Sequence, residues 1–289
     1  MSLYHQYDSL CKHILSHKLI LAYILKQVIY EFKDFSIETI MKEYIKDDFS
    51  NEELSQLLSG DRESNTLESG HIRFDILFST HDPYQRKGIL FNIEAQYSEP
   101  SHYKLENRMQ YYVSRLVSLQ KQTIFIHSQY NDIYKVFTIW IILKPHKEHR
   151  NKIYHYETKE TNMQYQNPYE NIMHQIVINL GGEGEGYTGI CKTLDILLSK
   201  EKSREEKIQV LEKEIGIEIP KQLKGETEFM CTLGQGLINE GKIEGKNEGI
   251  LEAIISLKNN LHMTDDEAMS ALNIPQSDKQ QYLKQLQNM

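Results

Sequence analysis

The run Val136–Leu143 (VFTIWIIL) constrains the fold more than any other part of the chain. Apart from one threonine it is wholly apolar, and most of its side chains are β-branched or aromatic. Successive side chains of a strand point to opposite faces, so a run that is apolar throughout has to be covered on both. A central strand buried on both sides is expected, with the rest of the chain supplying the cover.

Three zones surround this strand. Residues 1–60 read as helical, with Leu15, Leu19, Ala22 and Tyr23 at helical spacing and Ser36 placed to cap a second segment carrying Ile37, Ile40, Met41, Tyr44 and Ile45. Residues 70–180 read as strands around one helix. Ile72, Phe74, Ile76 and Phe78 alternate with His71, Arg73, Asp75 and Leu77, the pattern of a half-buried strand. Ser79–Gly88 then reads as a turn-rich link and Gly88–Gln96 as the second strand of a hairpin. A helix capped by Ser101 is expected to run to about Gln120 on a stripe of Leu105, Met109, Tyr112, Leu116 and Leu119, and Ile176–Leu180 reads as a further short strand before the loop GGEGEG.

From 190 onward the chain reads as helical again. Thr193–Leu198 and Glu205–Ile215 are expected helices, Ile250–Leu261 is amphipathic, and Thr264 with Glu267 forms a capping box for a last helix that stops near Pro275. Two units are expected: a core over residues 1–200 and a helical C-terminal extension over 201–289. Gly241, Gly245 and Gly249 recur four apart in the extension, so they share one face of a helix and would let another backbone approach. The apolar stripe that follows predicts either homodimer contacts or folding back on the core, with a homo-oligomer formed through the C-terminal helices as the expectation.

Charge and cysteine usage narrow the function. The 289 residues carry a net charge of -8, so a nucleic-acid partner would have to be met by a local basic patch. Cys11, Cys191 and Cys231 are isolated, with no Cys/His cluster at zinc spacing, which speaks against a disulfide framework or a structural zinc site and fits a reducing cytoplasm. No apolar leader opens the chain. Its most apolar helical stretch, Leu19–Leu25, is far short of the roughly 20 residues that span a bilayer. A cytoplasmic location without membrane contact is expected.

The chemistry-bearing segment is Asp75 followed by Glu94-Ala95-Gln96. Glu94 and Gln96 are two apart on one strand and share a face, and a hairpin can bring Asp75 beside Glu94. Two carboxylates with the Ala95 carbonyl form an all-oxygen cradle suited to Mg²⁺ or Mn²⁺. Acids on strand faces are commonly just solvated. Here, however, Ile89, Leu90, Phe91 and Ile93 make the strand apolar, where an acid is costly unless paired or metal-bound. Arg108 and Arg115, seven apart, share a face of the following helix, and Lys144, Lys147, Arg150 and Lys152 form a basic run directly after the central strand. That run is the strongest local footprint for a phosphate backbone.

The segments GHIRFDILF, LFNIEAQ, NRMQYYVSRLVSLQ and YNDIYKVFTIWIIL, in that order, resemble the PD-(D/E)XK nuclease family of transposase-like proteins, relatives of the recombination-promoting nucleases of bacteria. The resemblance covers about residues 55–200. It implies an α/β, restriction-endonuclease-like mixed sheet flanked by helices, and a metal-dependent endonuclease acting on DNA phosphodiesters with Mg²⁺ or Mn²⁺. By the same resemblance Asp75 and Glu94 hold the metal, Arg108 steadies the phosphate, and an acid upstream of Asp75 assists, either Glu63 or Glu68, with Glu63 the expected one. Gln96 stands where the name-giving motif has lysine. It can hydrogen-bond a water but carries no charge. That departure leaves room for a catalytically weak or inactive nuclease-fold protein that binds DNA or serves assembly, and for an interaction module built on the helical tail.

Overall fold

The structure, a computed structural model, describes residues 3–45, 75–84, 87–158 and 171–287. Among them five strands form one mixed sheet: β1 (Ile76–His81), β2 (Gly88–Ser98), β3 (Lys135–Lys144), β4 (Ile153–Glu157) and β5 (Met173–Asn179). The order is β1-β2-β3-β5-β4. β3 lies at the centre, parallel to β2 on one side and to β5 on the other, while β1 and β4 close the edges antiparallel. From Val136 to Ile142 every side chain of β3 is buried, as its unbroken apolar sequence requires.

The longer helices are α1 (Leu3–Leu15), α2 (Lys18–Val28), α3 (Leu105–Leu119), α4 (Gly189–Leu197), α5 (Arg204–Ile215), α6 (Lys221–Leu261), α7 (Asp265–Ala271) and α8 (Gln276–Gln287), and a short helical segment capped by Ser36 as expected covers Ile37–Thr39 and Ile40–Tyr44. They cover the sheet on both faces. Met109, Tyr112, Val113 and Leu116 of α3 pack on Leu90, Val136, Trp140 and Ile142. The opposite face carries Ile89, Phe91, Ile93, Phe137, Ile139 and Ile141, buried under α1, α2, α4 and α5 and the first half of α6. A row of rings crosses that face in register: Phe78 on Phe91 at 5.1 Å, Phe91 on Phe137 at 5.3 Å, and Phe137 on the His174 ring at 4.4 Å. Each fully buried large side chain of this kind contributes about 1.5–3 kcal/mol through removal of its apolar area from water.

Several elements differ from the sequence expectation for identifiable reasons. β1 continues past Phe78 to His81 because Thr80 and His81 pair with Ile89 and Gly88, so the link is shorter than Ser79–Gly88. Its expected start at Ile72 lies outside the described residues. α3 begins at Leu105 with Lys104 as its N-cap, not at Ser101. Residues 101–104 are exposed, and the helix starts where its apolar stripe first meets the sheet, at Leu105. β4 was not expected: as an edge strand it is mostly exposed and lacks alternating hydrophobicity. α8 was also unforeseen, being rich in Gln and Lys, and is held by Tyr282, Leu283 and Leu286.

α6 runs as one 41-residue helix straight through the glycine tract. Leu223, Met230 and Leu233 belong to the main core, and Gly234 passes so close to the Lys200 backbone that an added Cβ would lie 2.7 Å from its carbonyl oxygen. Beyond the tract, Ile250, Leu251, Ile254 and Leu257 pack against α7 and α8 in a cluster with Ala268, Met269, Ile274 and Tyr282. The expected oligomer rested on the bare glycine face and on that stripe being uncovered. Within the chain it is covered by α7 and α8, so the apolar argument for a homo-oligomer falls away. The capping box of Thr264 and Glu267 is present as expected.

Two substitutions bracket these energetics. Phe91→Ala should lower unfolding free energy by about 3–5 kcal/mol in urea denaturation, since it opens a cavity in the ring row. Gly245→Ala should raise it by about 0.5–1 kcal/mol, because nothing lies within 4 Å of the added Cβ in a helical position. A loss in the glycine variant would mean that another backbone does pack on that face.

A buried carboxylate pair and a basic cleft

Glu94 sits on the α3 face of β2, opposite Trp140 of β3. It is only 4 % exposed, so its carboxylate must find its partners inside the protein. Its Oε1 accepts from the Asn92 amide at 3.1 Å and from the Asp75 backbone N–H at 3.2 Å. Asp75 stands just before β1, where the pairing of Ile76 with Ile93 carries it next to Glu94. In return the Ala95 backbone N–H donates to Asp75 Oδ2 at 3.4 Å. The two carboxylates expected to come together are thus cross-bonded through each other's strand. Burial first, and the Asp75 charge second, push Glu94 up to about 7. The Asp75 amide, Asn92 and Arg108 act in the opposite direction.

Sequence reasoning missed the cation of this site. Lys12 of α1 places its ammonium 3.0 Å from Asp75 Oδ1 and 2.9 Å from Asp8 Oδ2. Burial works to lower the Lys12 pKa, but the bonds to Asp8 and Asp75 outweigh it and hold the group above its ordinary value. Asp8 and Lys12 are four apart on α1, which in the sequence reads as an ordinary surface pair. Only the tertiary fold brings them to Asp75.

Arg108 lies over the rings of Tyr112 and Trp140, at 5.1 Å from each, and donates to the hydroxyls of Tyr103 at 3.1 Å and Tyr112 at 3.0 Å. Its charge acts on Glu94 from α3. Around the same face Asn92 Oδ1, Gln96 Oε1, Thr138 Oγ1 and Trp140 Nε1 are buried without a hydrogen-bond partner among the described residues. Asn92 and Gln96 flank Glu94 on its own face, Thr138 lies opposite Asn92, and Trp140 opposite Glu94. The two carboxylates make an oxygen donor set that fits Mg²⁺ or Mn²⁺, and the bare amide oxygens of Asn92 and Gln96 would accept hydrogen bonds from water around such an ion. Glu63, the expected accessory acid, and its alternative Glu68 lie outside the described residues.

The expected basic run divides. Lys144 ends β3 opposite Ser98, and Lys144 and Arg150 line a cleft of about 910 Å³ together with Lys192, Lys200 and Lys202. Gly181 of the GGEGEG loop lets Arg150 pass: an added Cβ there would lie 2.6 Å from the arginine Cβ. Lys147 and Lys152 are exposed but do not line the cleft, and Arg115 is half-buried on α3 away from it. Tyr7, Tyr97 and Lys200 are shared between this cleft and a smaller pocket lined by Asp8, Ala95 and Gln96; neither cavity is lined by Asp75 or Glu94. The three lysines after residue 190 are scattered in sequence and gave no run to read.

No helix among the described residues is long and apolar enough to cross a membrane. No protein-family model, curated protein or solved structure matches this chain.

The Glu94 environment has a measurable consequence. In the unfolded chain the carboxyl titrates near 4.5, whereas in the folded protein it does so at about 7. Between those values the folded state binds more protons, so this group stabilises below about pH 4.5 and its contribution is lost as pH rises toward 7. Urea midpoints measured in EDTA from pH 5 to 8 should therefore fall less steeply in Glu94→Gln than in the parent protein. Equal slopes would show that Glu94 titrates normally.

Proposed function

We propose that the protein is a metal-dependent deoxyribonuclease of the PD-(D/E)XK type, hydrolysing DNA phosphodiester bonds in a transposase- or recombination-related role. The observation that carries this reading is the cross-bonded pair Asp75 and Glu94, with Lys12 on Asp75 and the Arg108 charge acting on Glu94. Asp75 and Glu94 would hold Mg²⁺ or Mn²⁺, with the Ala95 carbonyl as a further oxygen. The ion supplies Lewis acidity and a more acidic bound water.

The chain's own residues do the rest. Gln96 Oε1 accepts a hydrogen bond from the attacking water and orients it. Lys12 supplies the positive charge that the family's usual lysine would bring from position 96, but from α1. Its raised pKa keeps it an ammonium at neutral pH, so it stabilises charge and does not act as a base. Arg108 faces the carboxylates from α3 and steadies the phosphate. Lys144, Arg150 and Lys200 take the flanking backbone, an attraction whose strength falls with salt. A second reading, a nuclease-fold protein that binds DNA without cleaving it, draws on the uncharged Gln96.

A supercoiled-plasmid nicking assay separates the two readings. With Mg²⁺ the parent protein should nick. Asp75→Ala and Glu94→Ala should abolish turnover, and Lys12→Met should slow it by about 10²-fold while DNA affinity is kept. Lys144→Ala with Arg150→Ala should instead weaken DNA binding and make the slope of log affinity against log salt shallower by about one for each cation removed. DNA binding without nicking under any divalent ion would favour the second reading. Nicking unchanged in both acid variants would overturn the assignment.

A further inference from the structure

A second cluster of metal-ligating side chains lies at the other edge of the sheet. His155 and Glu157 are two apart on β4, and Glu157 pairs with His174 of β5, so all three project from one face. One ligand atom from each lies within 4.8 Å of the others. This face is the one that carries Phe137, opposite to the Glu94 face, and β4 and β5 are separated from β1 and β2 by β3. The two sites share no residue.

The orientation of His174 gives the cluster its chemistry. Its Nε2 lies 3.0 Å from the Asn171 carbonyl oxygen. A carbonyl only accepts, so that nitrogen carries the proton and the Nδ1 lone pair of the neutral ring is left bare. Nδ1 points at His155 Nε2, 3.0 Å away, and at a Glu157 oxygen 3.8 Å away. The ring is locked by stacking on Phe137 at an interplanar angle of 12°. A histidine whose second nitrogen donates to a backbone carbonyl is the usual support of a metal-bound imidazole.

The spacing also suits a particular ion. Zn²⁺ binds histidine nitrogen at about 2.0–2.1 Å, which puts two tetrahedral ligand atoms about 3.3 Å apart. The two observed separations bracket that value. Mixed imidazole and carboxylate donors select Zn²⁺ or a neighbouring transition ion over Mg²⁺. His174 is buried, whereas His155 and Glu157 are exposed, so the remaining coordination positions face solvent.

We propose that His155, Glu157 and His174 form a Zn²⁺ site that pins the edge strand β4 to β5. The proposal stands independently of the nuclease reading. Without a metal, the same groups would make only a His155-to-His174 hydrogen bond beside an acid.

The test uses untagged full-length protein, stripped with EDTA and dialysed, titrated with Zn²⁺ by calorimetry and followed by thermal shift. One Zn²⁺ per chain besides any ion held by Asp75 and Glu94, with a raised melting temperature, is expected. His155→Ala and Glu157→Gln, both at exposed positions where folding is not at stake, should each weaken Zn²⁺ binding by more than about tenfold and remove the thermal shift. The Asp75→Ala/Glu94→Ala double variant and His149→Ala should leave it unchanged. Zn²⁺ binding that survives in both cluster variants, is lost in His149→Ala or the acid double variant, or is absent from the parent protein would overturn the proposal.

Discussion

The parallel pairing of β2 with β3 puts a carboxylate deep under α3, beside the buried Asn92, Thr138 and Trp140. Glu94 faces Trp140 under α3, and its ionised form is expensive there unless neighbours compensate. The arrangement around it follows from that cost. Asn92 and the Asp75 amide donate to it, Arg108 brings charge from α3, and Lys12 brings charge to Asp75 from α1. These partners come from both layers of helices. The sheet therefore has to be covered on both faces before the pair can exist, and the apolar sequence of β3 is what demands that cover.

Much of the scaffold was legible because the residues involved carry their signal locally. The all-apolar run of β3, the alternation of Ile76 and Phe78, the stripe of α3 and the capping box at Thr264 each need only a few neighbouring residues to be read. The pairing of Asp75 with Glu94 was legible too, since strand period and hairpin register fix which faces meet. β4 was not, because an exposed edge strand has no buried face to impose a pattern. α8 was not, because its apolar residues are few and matter only against α6.

The cations of the site show the same divide. Arg108 could be placed from the helix that follows the hairpin. Lys12 could not: 63 positions separate it from Asp75, and an i,i+4 pair with Asp8 on α1 looks complete in itself. The basic cleft likewise joins two residues of a visible run, Lys144 and Arg150, to Lys192, Lys200 and Lys202, which come together only through the packing of α4 and α5 behind the sheet. The apolar stripe of α6 was read correctly as needing cover, but its partner turned out to be the chain's own last two helices.

The two edges of the sheet thus carry different donor chemistry: oxygen atoms at β1 and β2, imidazole with one carboxylate at β4 and β5. Crystals of the protein soaked in Mn²⁺ test the central claim most directly, through anomalous scattering. The account predicts a manganese peak coordinated by both Asp75 and Glu94. A clear manganese peak elsewhere, with the two carboxylates still bonded only to Lys12, Asn92 and the backbone, would contradict it.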